Sequence, residues 1–235
     1  FMLLLMSIFL VGMLAACGGS TTGGGGSSSG GESGSGSSSG GDDGDTIKIG
    51  LNFELSGPVA SYGSSDAEGA ELAIEEINAN GGILGKQIEV IKQDNKAETQ
   101  EAVAIATRLT SQDKVLAIIG SATSGNTIAQ VQIANDTKTL LLTPSGTAPN
   151  VTENEDGSIN EYVFRTSYID PFQGTVAANF ALDELGVKTA AIYNDNASDY
   201  AKGLADAFKE TFEAGGGTIV AEESYVAGDT DFRST

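Results

Sequence analysis

The sequence has no histidine and a single cysteine, Cys17. With one thiol no disulfide can close within the chain, and no Cys/His zinc constellation can be assembled. Enzymes that need a histidine base, or a cysteine nucleophile beside a base, are excluded on the same ground. Carboxylates, lysines, serines and threonines are what remains for chemistry. Basic residues are scarce: 12 Lys and Arg stand against 32 Asp and Glu, for a formal charge of -20 at pH 7. A surface that acidic repels phosphate backbones and anionic headgroups, so no nucleic-acid partner is expected. Nucleotide signatures are missing too. Gly81 to Lys86, GGILGK, lacks the GxxxxGK[ST] spacing and precedes a strand where a phosphate loop precedes a helix. No GxGxxG follows the first strand. Neither a cofactor nor a metal is expected.

What is present is distributed unevenly. Phe1 to Ala16 is an apolar run broken only by Ser7 and Gly12. A membrane-spanning helix takes about 20 apolar residues, so this run suits the core of a signal peptide instead. Leu14-Ala15-Ala16-Cys17 resembles the lipobox of bacterial lipoproteins, which makes Cys17 the expected lipidation site and residues 1–17 a lipoprotein signal peptide. The chain starts without an initiator Met or a basic n-region, and the reading is that it is a fragment at this end. Residues 18–45 are almost entirely Gly, Ser, Thr and acids. Such a segment cannot bury enough apolar area to offset its chain entropy, and it reads as a disordered tether spanning roughly 30 Å.

From Thr46 strand and helix patterns alternate. Strands are expected at 47–53, 87–94, 115–119 and 139–142, and helices at 66–80, 99–111 and 124–136. Val115 to Ile119 is an unbroken apolar run of the kind parallel sheets bury on both faces. Tyr162 to Ser167 reads as a strand or crossover. The alternation then restarts with helix 171–185, strand 188–193, helix 199–214 and strand 218–225. This order argues for an α/β fold with parallel sheets covered by helices, in a first lobe over 46–168 and a second over 169–235. Two strands are too few for a covered sheet, so the second lobe reads as incomplete. The organising stretch is Val115 to Pro149, in which two strands each run into a Ser/Thr/Gly turn. Turns at strand ends are where open α/β sheets bind small ligands, and these two carry hydroxyls without charges.

Several segments together resemble the type I periplasmic binding-protein family, and specifically the Leu/Ile/Val-binding proteins of ABC importers. They are IGLNFELSGPVASYG (49–63), GAELAIEEINANGGILGKQIEV (69–90), IIGSATSG (118–125), LLTPSGTAP (141–149) and FRTSYIDPFQG (164–174). The resemblance covers residues 46–235. It implies a two-lobed fold whose lobes close on a free amino acid, with the closed form docking on the permease membrane subunits of the importer. It places Ser124 on the ligand carboxylate, and Ser145, Gly146 and Thr147 where backbone groups and a hydroxyl meet the ammonium and carboxylate. The family often carries Ala where this chain has Ser145 and Gly146. Tyr62 and Tyr200 match aromatics that line the side-chain pocket. The acid that pairs with the ligand ammonium falls beyond Thr235. The residues themselves agree at two points: Ser124 is a natural N-cap for a helix whose free N–H groups favour an anion, and Gly146 lets a ligand come close to the backbone. Asp170 and Gln173 read as hinge or cap residues.

The expectation is therefore a non-enzyme: an extracytoplasmic, lipid-anchored substrate-binding protein of the bacterial cell membrane, delivering a branched-chain amino acid to an ABC permease. The alternatives are the same fold holding another small solute, such as an amide, urea or an aromatic compound, or serving as a sensory ectodomain.

Overall fold

Isoleucine, leucine and phenylalanine alternate with smaller or polar residues along Thr46–Phe53, and this segment forms β1, flanked by a strand on each side. The computed structural model describes residues 46–233. The expected signal peptide, Cys17 and the expected tether lie outside the described residues. β2 (Gln87–Asp94), β3 (Ala117–Ile119), β4 (Leu140–Thr143) and β5 (Val163–Arg165) complete a five-stranded sheet in the order β2-β1-β3-β4-β5. Every neighbouring pair is parallel, with Gly50 opposite both Ile91 and Ile118, and Ile118 opposite Leu141. The chain leaves β1 toward one edge for β2, then returns to the other side of β1 for β3. The sheet's topological switch point therefore lies between the carboxyl ends of β1 and β3.

Side chains alternate between the two faces, as the pleat requires. On one face, Leu51, Phe53 and Ile119 pack with Ala67 and Ala70 of α1 (Ala60–Ala79). On the other, Ile118, Leu141 and Val163 pack with Ile105 and Ala106 of α2 (Thr99–Arg108) and Ala134 of α3 (Ser124–Thr137). A π-helical turn, Leu109–Asp113, extends α2 and adds Leu109 to that core. Beyond β5, α4 (Asp170–Asn179) runs into a second π-helical turn at Phe180–Glu184. β6 (Thr189–Asp195) and β7 (Thr218–Tyr225) pair in parallel as a separate two-stranded sheet, with α5 (Asp199–Ala214) between them in sequence. Ser198 caps α5 by accepting the Ala201 N–H at 3.2 Å. Gly174 lets α4 lie directly on α5, since a Cβ there would sit 2.7 Å from the Ala207 Cβ.

Two details depart from the expected pattern, and one open alternative is settled. The run at 115–119 is shorter as a strand: the regular ladder takes in only Ala117–Ile119, while Leu116, 63% exposed, adds a single N–H bond to the Lys48 carbonyl. Tyr162–Ser167 resolves to an edge strand, β5, and not a crossover. The first helix begins at Ala60 and not at Asp66. Ser and Gly are weak helix formers, and LSGPVASYG (55–63) reads from the sequence as a loop. Tertiary approach overrides that preference, because Gly63 brings α1 against the end of β1. A Cβ on Gly63 would lie 2.2 Å from the Glu54 carbonyl oxygen.

Asp94 anchors the loop between β1 and α1. Its Oδ1 accepts the N–H groups of Leu55, Ser56 and Lys96 at 3.0, 3.2 and 2.8 Å, and its Oδ2 accepts the Ser56 hydroxyl at 2.6 Å. Burial pulls its pKa upward, but the Ser56 hydroxyl and the three N–H groups outweigh it and hold the carboxyl below its ordinary 3.8. Its stabilising contribution is therefore complete above pH 3.8 and is lost as the pH falls through the lowered value. Unfolding midpoints measured from pH 6 down to pH 2 should fall less steeply in Asp94→Asn than in the parent. Gly63→Ala forces α1 off the β1 end and should destabilise the fold by about 1–3 kcal/mol in a denaturant titration, the usual range for overpacking.

Candidate functional site

At the carboxyl end of β1 stands Glu54, whose side chain is completely buried. Its Oε2 accepts the Ala122 N–H at 2.9 Å. Its Oε1 accepts the Thr123 N–H at 3.2 Å, the Thr123 hydroxyl at 2.7 Å and the Asn126 amide at 3.0 Å. The amino end of α3 thus already holds an anion supplied by the protein itself, where a positive dipole end favours one. Behind Glu54 lies a buried amide network. Asn52 donates to Gln130 Oε1 and to the Ala102 carbonyl, both at 2.9 Å. Asn95 donates to Asn52 Oδ1 at 3.2 Å and to Ser121 Oγ at 2.9 Å, and Gln130 donates to Ser121 Oγ at 3.0 Å. These bonds tie the ends of β1, β2 and β3 to α3, and buried polar groups so satisfied make a rigid base.

On that base the loops after β3 and β4 are laced together. Thr143 Oγ1 donates to the Ser121 carbonyl at 2.7 Å, the Ser145 hydroxyl lies 3.0 Å from the Ala122 carbonyl, and the Ala148 N–H donates to Ser124 Oγ at 3.1 Å. The Gly146 N–H donates to Thr143 Oγ1 at 2.8 Å. Arg165 braces the outer side of the second loop, donating to the Gly146 and Ala148 carbonyls at 3.2 and 2.7 Å and to the Thr152 hydroxyl at 2.6 Å. Ser124, Ser145, Gly146 and Thr147 are in this way brought onto two adjoining loops beside the switch point. Ser124 is the first residue of α3, with Thr123 in the N-cap position, so the expected N-cap role is corrected by one residue. The Ser124 oxygen serves the Ala148 N–H instead.

The aromatic positions are spread more widely. Tyr62 lies in the first turn of α1, 68% exposed. One turn further on the same face, Asp66 accepts the Ser145 hydroxyl at 2.5 Å. Burial raises the Asp66 pKa above its ordinary 3.8, the Ser145 hydrogen bond opposes that rise, and the nearby Glu54 carboxylate adds to it. Tyr200 sits at the start of α5, where its hydroxyl accepts from Gln173 of α4 at 3.2 Å. The connection from Tyr200 to the loops runs through the first turn of α4. Asp170 donates its N–H to the Thr147 carbonyl at 3.1 Å, and its side chain abuts Gly203 of α5.

Asp170 is not the cap expected from the sequence. It is the first residue of α4, with Ile169 in the N-cap position, and it makes no capping bond. Its side chain is fully buried and neither carboxyl oxygen has a hydrogen-bond partner. Burial raises its pKa, while the facing Thr147 hydroxyl and the Arg165 charge pull it back part of the way. Away from these loops, a depression of about 490 Å³ on β6, β7 and α5 is lined by Asn194, Lys202, Asp206 and Glu222 among others, and contains none of the loop residues.

Residues 46–235 match the model of the periplasmic binding-protein family. The chain belongs to that family. Within it, the Leu/Ile/Val-binding protein BraC3 of Rhizobium johnstonii is 40% identical over 186 residues, which are 79% of this chain and 49% of the relative. Among solved structures, the branched-chain amino acid transporter substrate-binding protein LivJ of Streptococcus pneumoniae, in complex with isoleucine, superposes with a TM-score of 0.73 at 48% identity, covering 80% of this chain and 52% of that one. A solute-binding protein of an ABC transporter from Rhodopseudomonas palustris, in complex with 3,4-dihydroxybenzoic acid, gives 0.71 at 27% identity over 81% and 50%. The chain spans about half the length of the relatives it matches.

Two residues of this loop arrangement escaped the sequence reading. Glu54 directly follows β1, and its partners lie 68 to 72 residues away. The one local signal was an isolated acid at the end of a buried run. Asp66 read as part of a solvated helix face, and its spacing from Tyr62 was the available clue.

Removing Glu54 takes the acceptor from four donors, buried at Ala122 and Asn126 and part-buried at Thr123. Glu54→Ala should cost about 2–5 kcal/mol in chemical denaturation, in line with stranded buried donors and broken buried charge contacts. Asp170→Asn should behave in the opposite sense. A raised carboxyl pKa means that stability falls as the pH rises from 3.8 through the raised value, so removing the charge should leave the neutral-pH melting midpoint unchanged or higher.

Proposed function

We propose that this chain is the ligand-holding part of an extracytoplasmic substrate-binding lipoprotein that presents a free amino acid, of the branched-chain class, to an ABC permease. In this reading residues 46–168 form the first lobe, residues 169–235 begin the second, and Cys17 carries the lipid that keeps the protein at the bacterial cell membrane. The observation that carries the proposal is the meeting of Ser124, Ser145, Gly146 and Thr147 on two laced loops at the switch point of the sheet, which is where such folds take small polar ligands. The loops offer hydroxyls and backbone groups to a zwitterion, and no step forms or breaks a covalent bond. Tyr62, high on the rim, and Tyr200, on α5, supply apolar surface for the aliphatic side chain as the lobes close. The isoleucine held by the Streptococcus pneumoniae relative favours a branched-chain ligand; the dihydroxybenzoate held by the Rhodopseudomonas palustris protein is the reason to keep aromatic acids in the test.

Thermal unfolding of the full chain against each amino acid singly, and against benzoate, decides between them. A ligand at 100 times its dissociation constant adds about 2.7 kcal/mol of stability, enough to move the midpoint. The midpoint should rise with Leu, Ile and Val and stay still with benzoate, and Ser124→Ala should abolish the rise. A rise with benzoate alone would move the function to aromatic acids, and no rise with any of them would end the transport reading.

A further inference from the structure

A hydroxyl has one proton and two lone pairs, so the partners a protein gives it decide what it can still offer a ligand. The two serines on the contact loops are set in opposite senses. Ser124 Oγ accepts the Ala148 N–H at 3.1 Å, which uses a lone pair and leaves its proton for another acceptor. Ser145 Oγ lies between the Asp66 carboxylate at 2.5 Å and the Ala122 carbonyl at 3.0 Å. Both of those partners are acceptors. The Ser145 proton is committed to them, and its lone pairs are left for a donor. The shorter contact is to a carboxylate, the strong, charge-assisted kind of hydrogen bond, and it draws the proton toward Asp66 and leaves the Ser145 oxygen electron-rich.

Such a pair of loops is matched to a molecule with an acceptor at one end and a donor at the other. Resting on the amino-acid reading above, which already sets the ligand's carboxylate at Ser124 and its ammonium at the Ser145 loop, we propose that Asp66 is the positioning residue that fixes the Ser145 hydroxyl as an acceptor toward that ammonium. Asp66 acts through Ser145 and from the first lobe. It stands on α1 at a place set by Gly63, one turn earlier, whose missing Cβ brings the helix against the Glu54 carbonyl. The first lobe by itself then distinguishes a zwitterion from a simple carboxylic acid of the same shape.

The test compares L-leucine with 4-methylpentanoate, which is leucine without its ammonium, by titration calorimetry on the full chain and two variants. Asp66→Asn removes the charge, and Ser145→Ala removes the acceptor. Each should weaken leucine by about tenfold or more, the size of one charge-assisted hydrogen bond, while 4-methylpentanoate binds no more weakly than to the parent. A purely structural role would weaken both ligands together, and that outcome overturns the proposal, as does a leucine affinity untouched in Ser145→Ala. Ser145→Ala serves as the second arm should Asp66→Asn fail to fold. If the parent protein binds no amino acid at all, the functional reading itself fails; parent binding with parallel losses in the variants defeats only the role given to Asp66 and Ser145.

Discussion

The loops at the carboxyl ends of β1, β3 and β4 depend on a buried carboxylate that has no cation beside it among the described residues. Among the described residues Glu54 meets no lysine or arginine; it is met by two backbone N–H groups, a threonine hydroxyl and an asparagine amide at the start of α3. Dehydrating a carboxylate is costly, and it is tolerated here because each of those donors needs an acceptor as much as Glu54 needs donors. The consequence is geometric. The end of β1, the loop after β3 and the first turn of α3 cannot move independently, and the loop after β4 is laced onto them through Ser121, Ala122 and Ser124. A binding site assembled from short loops needs such a foundation, because backbone groups can recognise a small ligand only if they are already in place.

The same arrangement explains why these loops carry so little free charge. The helix dipole at α3 is answered by Glu54, and Arg165 is absorbed by the carbonyls of the second loop. What the two loops retain is a set of hydroxyls and amides, buried at Ser124 and Thr147 and half-buried at Ser145, whose proton directions are dictated from behind. Asp66 dictates one of them directly. Asp170, buried with unmatched oxygens between Thr147 and Gly203, is the costly feature in this part of the fold, and its position between the first-lobe loop and α5 makes it a junction between the two halves of the proposed site.

Much of this was legible in the amino-acid order. The boundaries of β2, α5 and β7 coincide with those read from periodicity, because in each the apolar spacing and the flanking turn residues agree with the tertiary environment. The two contact loops were legible for a similar reason: an apolar run followed by Ser, Thr and Gly has few places to go in a parallel sheet. The first turns of α1 were not legible, since Ser61, Gly63, Ser64 and Ser65 favour a loop and only the close approach at Gly63 makes the helix worthwhile. Glu54 was invisible because its meaning lies in partners far along the chain. The hydroxyl directions at Ser124 and Ser145 were invisible for the same reason, being set by Ala148 on another loop and by Asp66 on another element.

The central claim is that a small zwitterion is held where β3 and β4 end, on loops fixed by Glu54. Amide NMR of the isotope-labelled chain during titration with L-isoleucine tests it residue by residue. The account predicts that the largest shift changes fall on residues 122–127 and 145–148, with smaller ones at Asp66 and Tyr62. Changes centred instead on Asn194, Lys202 and Glu222, in the depression over β6 and β7, would contradict it, as would a spectrum that does not move.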